Sequence, residues 1–131
     1  MTVMPTPSFK LGSLRTTADY RAVYGKGQRF HSPYFSAFVL PTESSEARLG
    51  ITVTRKVGKA VLRNRCKRRM REVFRLYQPQ ELIGVGYDLV INAKTELARA
   101  EFVLLTQSFQ QTLLRFQSFL DRQARLKAID S

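Results

Sequence analysis

At 131 residues, with 44% hydrophobic content and nine Phe, the chain has the length of one domain with a real core, which excludes a disordered basic tail. Its formal charge of +12, from 22 Lys plus Arg against 10 Asp plus Glu, calls for a polyanionic partner, of which nucleic acid and an anionic membrane surface are the common kinds. No stretch approaches the roughly 18 apolar residues of a membrane span and MTVMPTPSFK lacks the apolar run of a signal peptide, so a cytosolic protein without a membrane partner is expected.

Residues 1–12, punctuated by Pro5, Pro7 and Gly12, are expected to form a loose arm ahead of a single domain over 13–121. The stretch TTADYRAVY opens a first helix, with Thr16 as N-cap and Asp19 three residues later as the partner in a capping box. GKG at 25–27 ends it. After a short strand, YFSAFVL at 34–40 reads as a strand between Pro33 and Pro41. RLGITVT at 48–54 alternates apolar and polar residues, as a half-buried strand does, and the short loop between the two predicts an antiparallel hairpin.

From Val57 to Tyr77 the recurrence of Leu62, Cys66, Met70, Val73 and Tyr77 at steps of three and four predicts a helix with one apolar stripe. Cys66 is the only cysteine, so no internal disulfide forms, and its place in the stripe makes it a small buried apolar residue. YDLVINA at 87–93 has a continuous apolar centre and is expected at the middle of the sheet. Phe102, Leu105, Phe109, Leu113, Phe116 and Leu120 mark a last core-packing helix, followed by a polar tail over 122–131 that is expected to fray. The order helix, short strand, strand, strand, helix, strand, helix gives an α+β fold, a small α/β sandwich.

The charge is localised. Between Arg55 and Arg75 stand ten basic residues and one acid, Glu72. Solvated charged faces interleave acids at i+3 or i+4 to relieve repulsion, and this one does not. At 100° per residue, Asn64, Arg68, Arg71 and Arg75 fall together opposite the apolar stripe, flanked by Arg65 and Lys67. Arginine forks two bonds to phosphate and stacks on bases, which favours nucleic acid over lipid. Tyr20 and Tyr24, one turn apart, are either a core pair or a stacking platform for unpaired bases. One histidine, scattered acids and the absence of any nucleophile or metal-ligand pattern argue against an enzyme acting alone. Gly58-Lys59-Ala60 is not a phosphate loop, because the spacing from Gly50 is wrong and Ala60 stands where a hydroxyl is required.

The run TRKVGKAVLRNRCKRRMREVFR from Thr54, together with Arg48 to Gly50, resembles the protein component of bacterial ribonuclease P, and LRTTADYRAVYGKGQRF and YDLVINAK resemble the corresponding parts in order and spacing. The resemblance covers roughly residues 9 to 120. It implies a βαβ unit with a left-handed crossover, where pattern alone predicts the right-handed form. It also implies binding to the catalytic RNA of ribonuclease P and to precursor tRNA, whose 5′ leader is removed by hydrolysis that uses Mg2+ held mainly by the RNA, with no small-molecule cofactor. Carried over, Lys56, Lys59, Arg63, Asn64, Arg65, Lys67, Arg68 and Arg71 are contacts to the catalytic RNA, and Tyr20, Tyr24, Phe35 and Phe38 line the leader cleft. No catalytic or metal-binding residue is implied in the protein.

Three features depart from the family pattern. Tyrosine stands at 20 and 24 where Phe is frequent, which keeps the stacking face and adds a hydroxyl; Cys66 replaces a branched aliphatic; and Arg69 stands where an apolar residue is common. The alternative from another class is a non-catalytic structural RNA-binding or ribosome-associated protein that uses the same basic helix as a clamp.

Overall fold

Thr16 stops the extended chain and starts the first helix: its hydroxyl accepts from the Asp19 amide at 3.1 Å, and the Asp19 carboxylate accepts from the Thr16 amide at 3.3 Å, the expected capping box. A computed structural model describes residues 10–130, so most of the expected N-terminal arm lies outside the described residues. The elements in order are β1 (Leu11–Ser13), α1 (Thr17–Lys26), β2 (Gln28–His31), β3 (Phe35–Pro41), β4 (Ala47–Thr52), α2 (Ala60–Leu76), β5 (Tyr87–Ala93) and α3 (Phe102–Asp130). Gly25 is still helical; the chain turns at Gly27, where a Cβ would meet the Val23 carbonyl oxygen at 2.5 Å.

The strands form one sheet in the order β1-β4-β5-β3-β2. The β3–β4 hairpin expected from the short connection does not form: the two run antiparallel but β5 lies between them, antiparallel to β3 and parallel to β4. The reason is burial. Tyr87 to Ile91 are all buried, and a strand with no face for solvent takes the centre, where both edges are paired and both faces covered. β4, α2 and β5 thus form a βαβ unit with adjacent parallel strands. β1, assigned from its glycine and prolines to the loose arm, instead pairs with β4 in parallel, with Gly12 opposite Arg48.

Period two divides the sheet into two faces. Phe35, Ala37, Val39, Leu49, Tyr87, Leu89 and Ile91 point to α2 and α3 and join Cys66, Met70, Val73, Phe74, Leu105, Phe109, Leu113 and Phe116 in the main core. On the opposite face, Val90, Phe38 and Leu40 meet Leu14, Tyr20 and Val23 in a smaller cluster under α1. The result is three layers, with α1 over only part of its face.

The predicted helix from Val57 resolves into a 3-10 turn at Arg55–Val57 and α2 from Ala60. Gly58 joins them at φ +139°, a conformation that L side chains rarely adopt, and a Cβ there would lie 2.7 Å from Leu62 Cδ1. The tail expected to fray continues α3 through Asp130, although its residues from 121 to 129 are exposed. Among the described residues no helix is long and apolar enough to cross a membrane.

Candidate nucleic-acid interface

α2 docks by its apolar stripe, and docking fixes which arginines reach solvent. Asn64, Arg65, Arg68, Arg71 and Arg75 are exposed; Arg63 and Lys67 are partly so. Among the described residues no α2 cation enters an ion pair, the carboxylates of Asp19 and Asp88 both being drawn to Arg48. Lys56 is exposed in the 3-10 turn and Lys59 at the N-cap of α2. The eight cations and amides assigned to RNA therefore lie along one helix and the turn before it. Arg63 has a second role: its Nη1 donates to the Gly58 carbonyl at 2.9 Å and holds that turn closed.

Arg69 is different from its neighbours. Its guanidinium donates to the carbonyls of Leu97 (3.1 Å), Ala98 (2.9 Å) and Ala100, in and just after the 3-10 turn Thr95–Arg99, and lies 5.9 Å from the Phe102 ring centre. Burial, helped by the nearby positive charge of Arg65, lowers its pKa from the ordinary arginine value. An arginine at the edge of the apolar stripe thus stitches α2 to the β5–α3 connection and faces no partner. Cys66 is fully buried as expected; burial pushes its thiol pKa up against the opposing pull of Arg69 and Arg65.

The aromatic residues assigned to a cleft do not all share one. Phe38, Tyr20 and Tyr24 belong to the α1 face. Phe35 does not: three residues from Phe38 along a strand, it points to the opposite face and is 0% exposed in the main core. A ring with no accessible face cannot stack on a base, so Phe35 is a core residue.

Tyr24, 40% exposed, meets Phe38 edge-on with ring centres 4.9 Å apart. Its hydroxyl donates to Asn92 Oδ1 at 2.7 Å and lies 3.2 Å from Thr52 Oγ1. Arg29 on β2 covers the Phe38 ring at 5.4 Å. Tyr20 rests on Gly50, where a Cβ would come within 2.7 Å of its ring. Only glycine lets the ring lie that low.

Tyr20 also lines a groove of about 450 Å3 between the β1–β4 edge and α2, together with Lys67, Arg71 and Arg75. The basic helix and Tyr20, on two separate surfaces in the sequence, meet in this groove. Asp88, 4% exposed on β5, receives a bidentate pair of hydrogen bonds from Arg48 at 2.8 and 2.7 Å, and the same guanidinium lies 3.6 Å from Asp19. Burial acts to raise the Asp19 pKa, but amide hydrogen bonds from Arg15 and Thr16, the Thr16 hydroxyl and Arg48 outweigh it and hold the carboxyl below its usual value. This chain of charges pins the N-terminus of α1, and so Tyr20, over the sheet.

Four polar residues that the sequence does not mark as a site complete the face, among them His31, which reads from sequence as a plain surface residue and lies in β2. In register across the sheet, Thr52 pairs with Asn92, Asn92 with Ser36 and Ser36 with His31, so they form one row on the α1 side. Asn92 is visible in the sequence as the amide that follows the apolar centre Leu89–Ile91; the row itself depends on which strands become neighbours.

The ribonuclease P family model matches residues 10–117. The ribonuclease P protein component of Clostridioides difficile is 36% identical over 102 residues, covering 78% of this chain and 89% of that protein. That of a Nitratiruptor species is 38% identical over 105 residues, covering 80% and 92%. Among solved structures, the ribonuclease P protein from Thermotoga maritima superposes with a TM-score of 0.67 at 30% identity, covering 79% of this chain and 96% of that one. The Staphylococcus aureus protein gives 0.65 at 26% identity, covering 82% and 94%.

Proposed function

The chain belongs to the ribonuclease P family, and from that premise we propose that α2 binds the catalytic RNA while the α1 face of the sheet holds the single-stranded 5′ leader of precursor tRNA, promoting magnesium-dependent removal of the leader. As a ribonuclease P protein component it serves tRNA processing. The observation that supports the division of labour is the uncompensated cation stripe of α2, which meets Tyr20 in one groove.

Each arginine of the stripe that neutralises a phosphate releases a condensed counterion, so association with RNA is driven by entropy and weakens steeply with salt. Tyr24 and Phe38 offer apolar ring surface to unpaired bases, for which stacking contributes about 1–3 kcal/mol per base. Lys67, Arg71 and Arg75 at the groove neutralise the backbone between the two surfaces. The described residues offer no set of three or more His, Cys, Asp or Glu for a metal, and Asp19 and Asp88 are committed to Arg48. We assign the magnesium ions mainly to the RNA.

The test is cleavage of a precursor tRNA by a bacterial ribonuclease P RNA at low magnesium, with and without this protein. Rescue of accurate leader removal is expected. Arg68→Ala should weaken binding to the catalytic RNA, and Tyr24→Ala should weaken binding of precursor but not mature tRNA to the holoenzyme. A folded protein that binds RNA but leaves precursor and mature tRNA undistinguished would instead be a structural RNA clamp.

A further inference from the structure

We propose that the groove between the end of β3 and the last turns of α3 docks an acidic peptide segment of a protein partner, with its aliphatic side chains on the groove floor and its carboxylates on Lys26 and Lys127. The site stands apart from both RNA surfaces and adds a protein-binding function to them.

One wall of the groove is a stretch of helix that the family match does not include. The family model ends at residue 117, whereas α3 runs on to Asp130. A helix of that length gains little stability by itself and normally rests on packing, yet residues 121–129 are exposed, with Leu126 at 51% and Ile129 at 78%. Phe119, Gln123 and Lys127, at steps of four, set one face of this stretch opposite Leu40 and Pro41 at the end of β3. The space between them is about 660 Å3, within the range of ligand pockets.

The lining decides what fits. Leu40, Pro41, Leu120 and Ala124 make the floor aliphatic, and no acidic side chain among the described residues lines it. Lys26, at the C-terminus of α1, and Lys127 stand on different walls; both are exposed, and neither enters an ion pair among the described residues. Unpaired ammonium groups flanking an apolar floor, on a chain of charge +12, match an anionic partner with an apolar middle. Phe119 is the one ring in the lining and is itself partly buried, so the groove lacks the platform on which unpaired bases stack. Gln28 and Gln123 each offer a donor and an acceptor, which a peptide backbone uses and a phosphate chain does not. A second copy of this chain would bring its own +12 against the same lysines. The groove lies on the β2–β3 side of the sheet, whereas the Tyr20 groove and the basic helix lie at the β1–β4 edge, so a peptide can bind while α2 is on RNA.

The experiment follows amide resonances of the full-length, isotope-labelled protein at ~150 mM salt, with the peptide DLLEDLLED as probe and DSSEDSSED, equal in charge, as reference. The leucine peptide should shift resonances of Lys26, Gln28 and residues 119–127, and should bind roughly tenfold more tightly than the serine peptide. Lys127→Glu should weaken it about five- to tenfold, since attraction becomes repulsion. Arg122→Glu makes the same charge change on the same exposed stretch but outside the groove, and should alter binding by less than about twofold. Thermal unfolding verifies that both variants are folded, and precursor tRNA cleavage by holoenzyme carrying Lys127→Glu should match that of the unmodified protein. Equal binding of the two peptides, shifts centred on α2, or no shift at all overturns the proposal. Weaker RNA binding by Lys127→Glu would make the groove an RNA surface, and groove shifts that grow with the protein's own concentration would make it a contact between two copies. Either result also overturns the proposal, and each of these outcomes leaves the leader-binding reading standing.

Discussion

Arg68 and Arg69 are adjacent arginines of one helix, and replacing each by alanine should have opposite consequences. Arg69 donates to three carbonyls around the β5–α3 connection, two of them on the buried residues Leu97 and Ala98. A hydrogen bond from a charged donor contributes about 1.5–3 kcal/mol. Three acceptors share one guanidinium, and water partly replaces it at the half-buried Ala100, so the loss on Arg69→Ala is about 2–4 kcal/mol rather than three full bonds. The contact with the Phe102 ring adds about 0.5–1 kcal/mol. For a domain of this size the loss corresponds to a fall in Tm of roughly 8–15 °C.

Arg68 is exposed and has no hydrogen-bond or ion-pair partner among the described residues, so Arg68→Ala should leave Tm within about 1–2 °C. Its cost should appear instead in binding to the catalytic RNA, as a weaker affinity and a salt dependence shallower by about one phosphate contact. Thermal unfolding of both variants and RNA titrations at three salt concentrations separate the two roles. Folded Arg69→Ala with unchanged Tm, or with a loss of salt dependence equal to that of Arg68→Ala, refutes the assignment of Arg69 to the fold.

Gly50→Ala should displace the Tyr20 ring, since the added Cβ would sit 2.7 Å from it; because the ring can swing, the stability loss is about 1 kcal/mol, whereas leader affinity should fall severalfold in a precursor tRNA titration. Asp19 has its folded-state pKa held below the unfolded value, so its contribution is present above the unfolded pKa and is lost as pH falls through the lower, folded one. Acid unfolding of Asp19→Asn should lack that loss; an unchanged acid limb refutes the capping and Arg48 contacts as stabilising. The fully buried Cys66 thiol should resist an aromatic disulfide reagent at pH 8 in the folded protein and react fully in denaturant; rapid reaction under native conditions would place it outside the core.

The sequence by itself determined most of the elements and the basic character of one helix. Periodicity placed α2 and α3, the capping box fixed the start of α1, and the continuous apolar centre of Tyr87–Ala93 put that strand in the middle of the sheet, because each of these signals is a property of residues near one another in the chain. The basic stripe was legible for the same reason: a regular helix turns spacing into direction. The tertiary structure alone decided matters that depend on which distant segments meet. Insertion of β5 between β3 and β4 removed the expected hairpin, and pairing with β4 turned part of the presumed arm into β1. Strand parity sent Phe35 into the core and Phe38 to the other face. Three carbonyls from about thirty residues away made Arg69 a structural residue among solvent-facing cations. The row Thr52, Asn92, Ser36 and His31 comes from four strands and exists only once the sheet has its order. Local chemistry carries an element's identity, whereas a site shared among strands is written in their register, which only the folded chain displays.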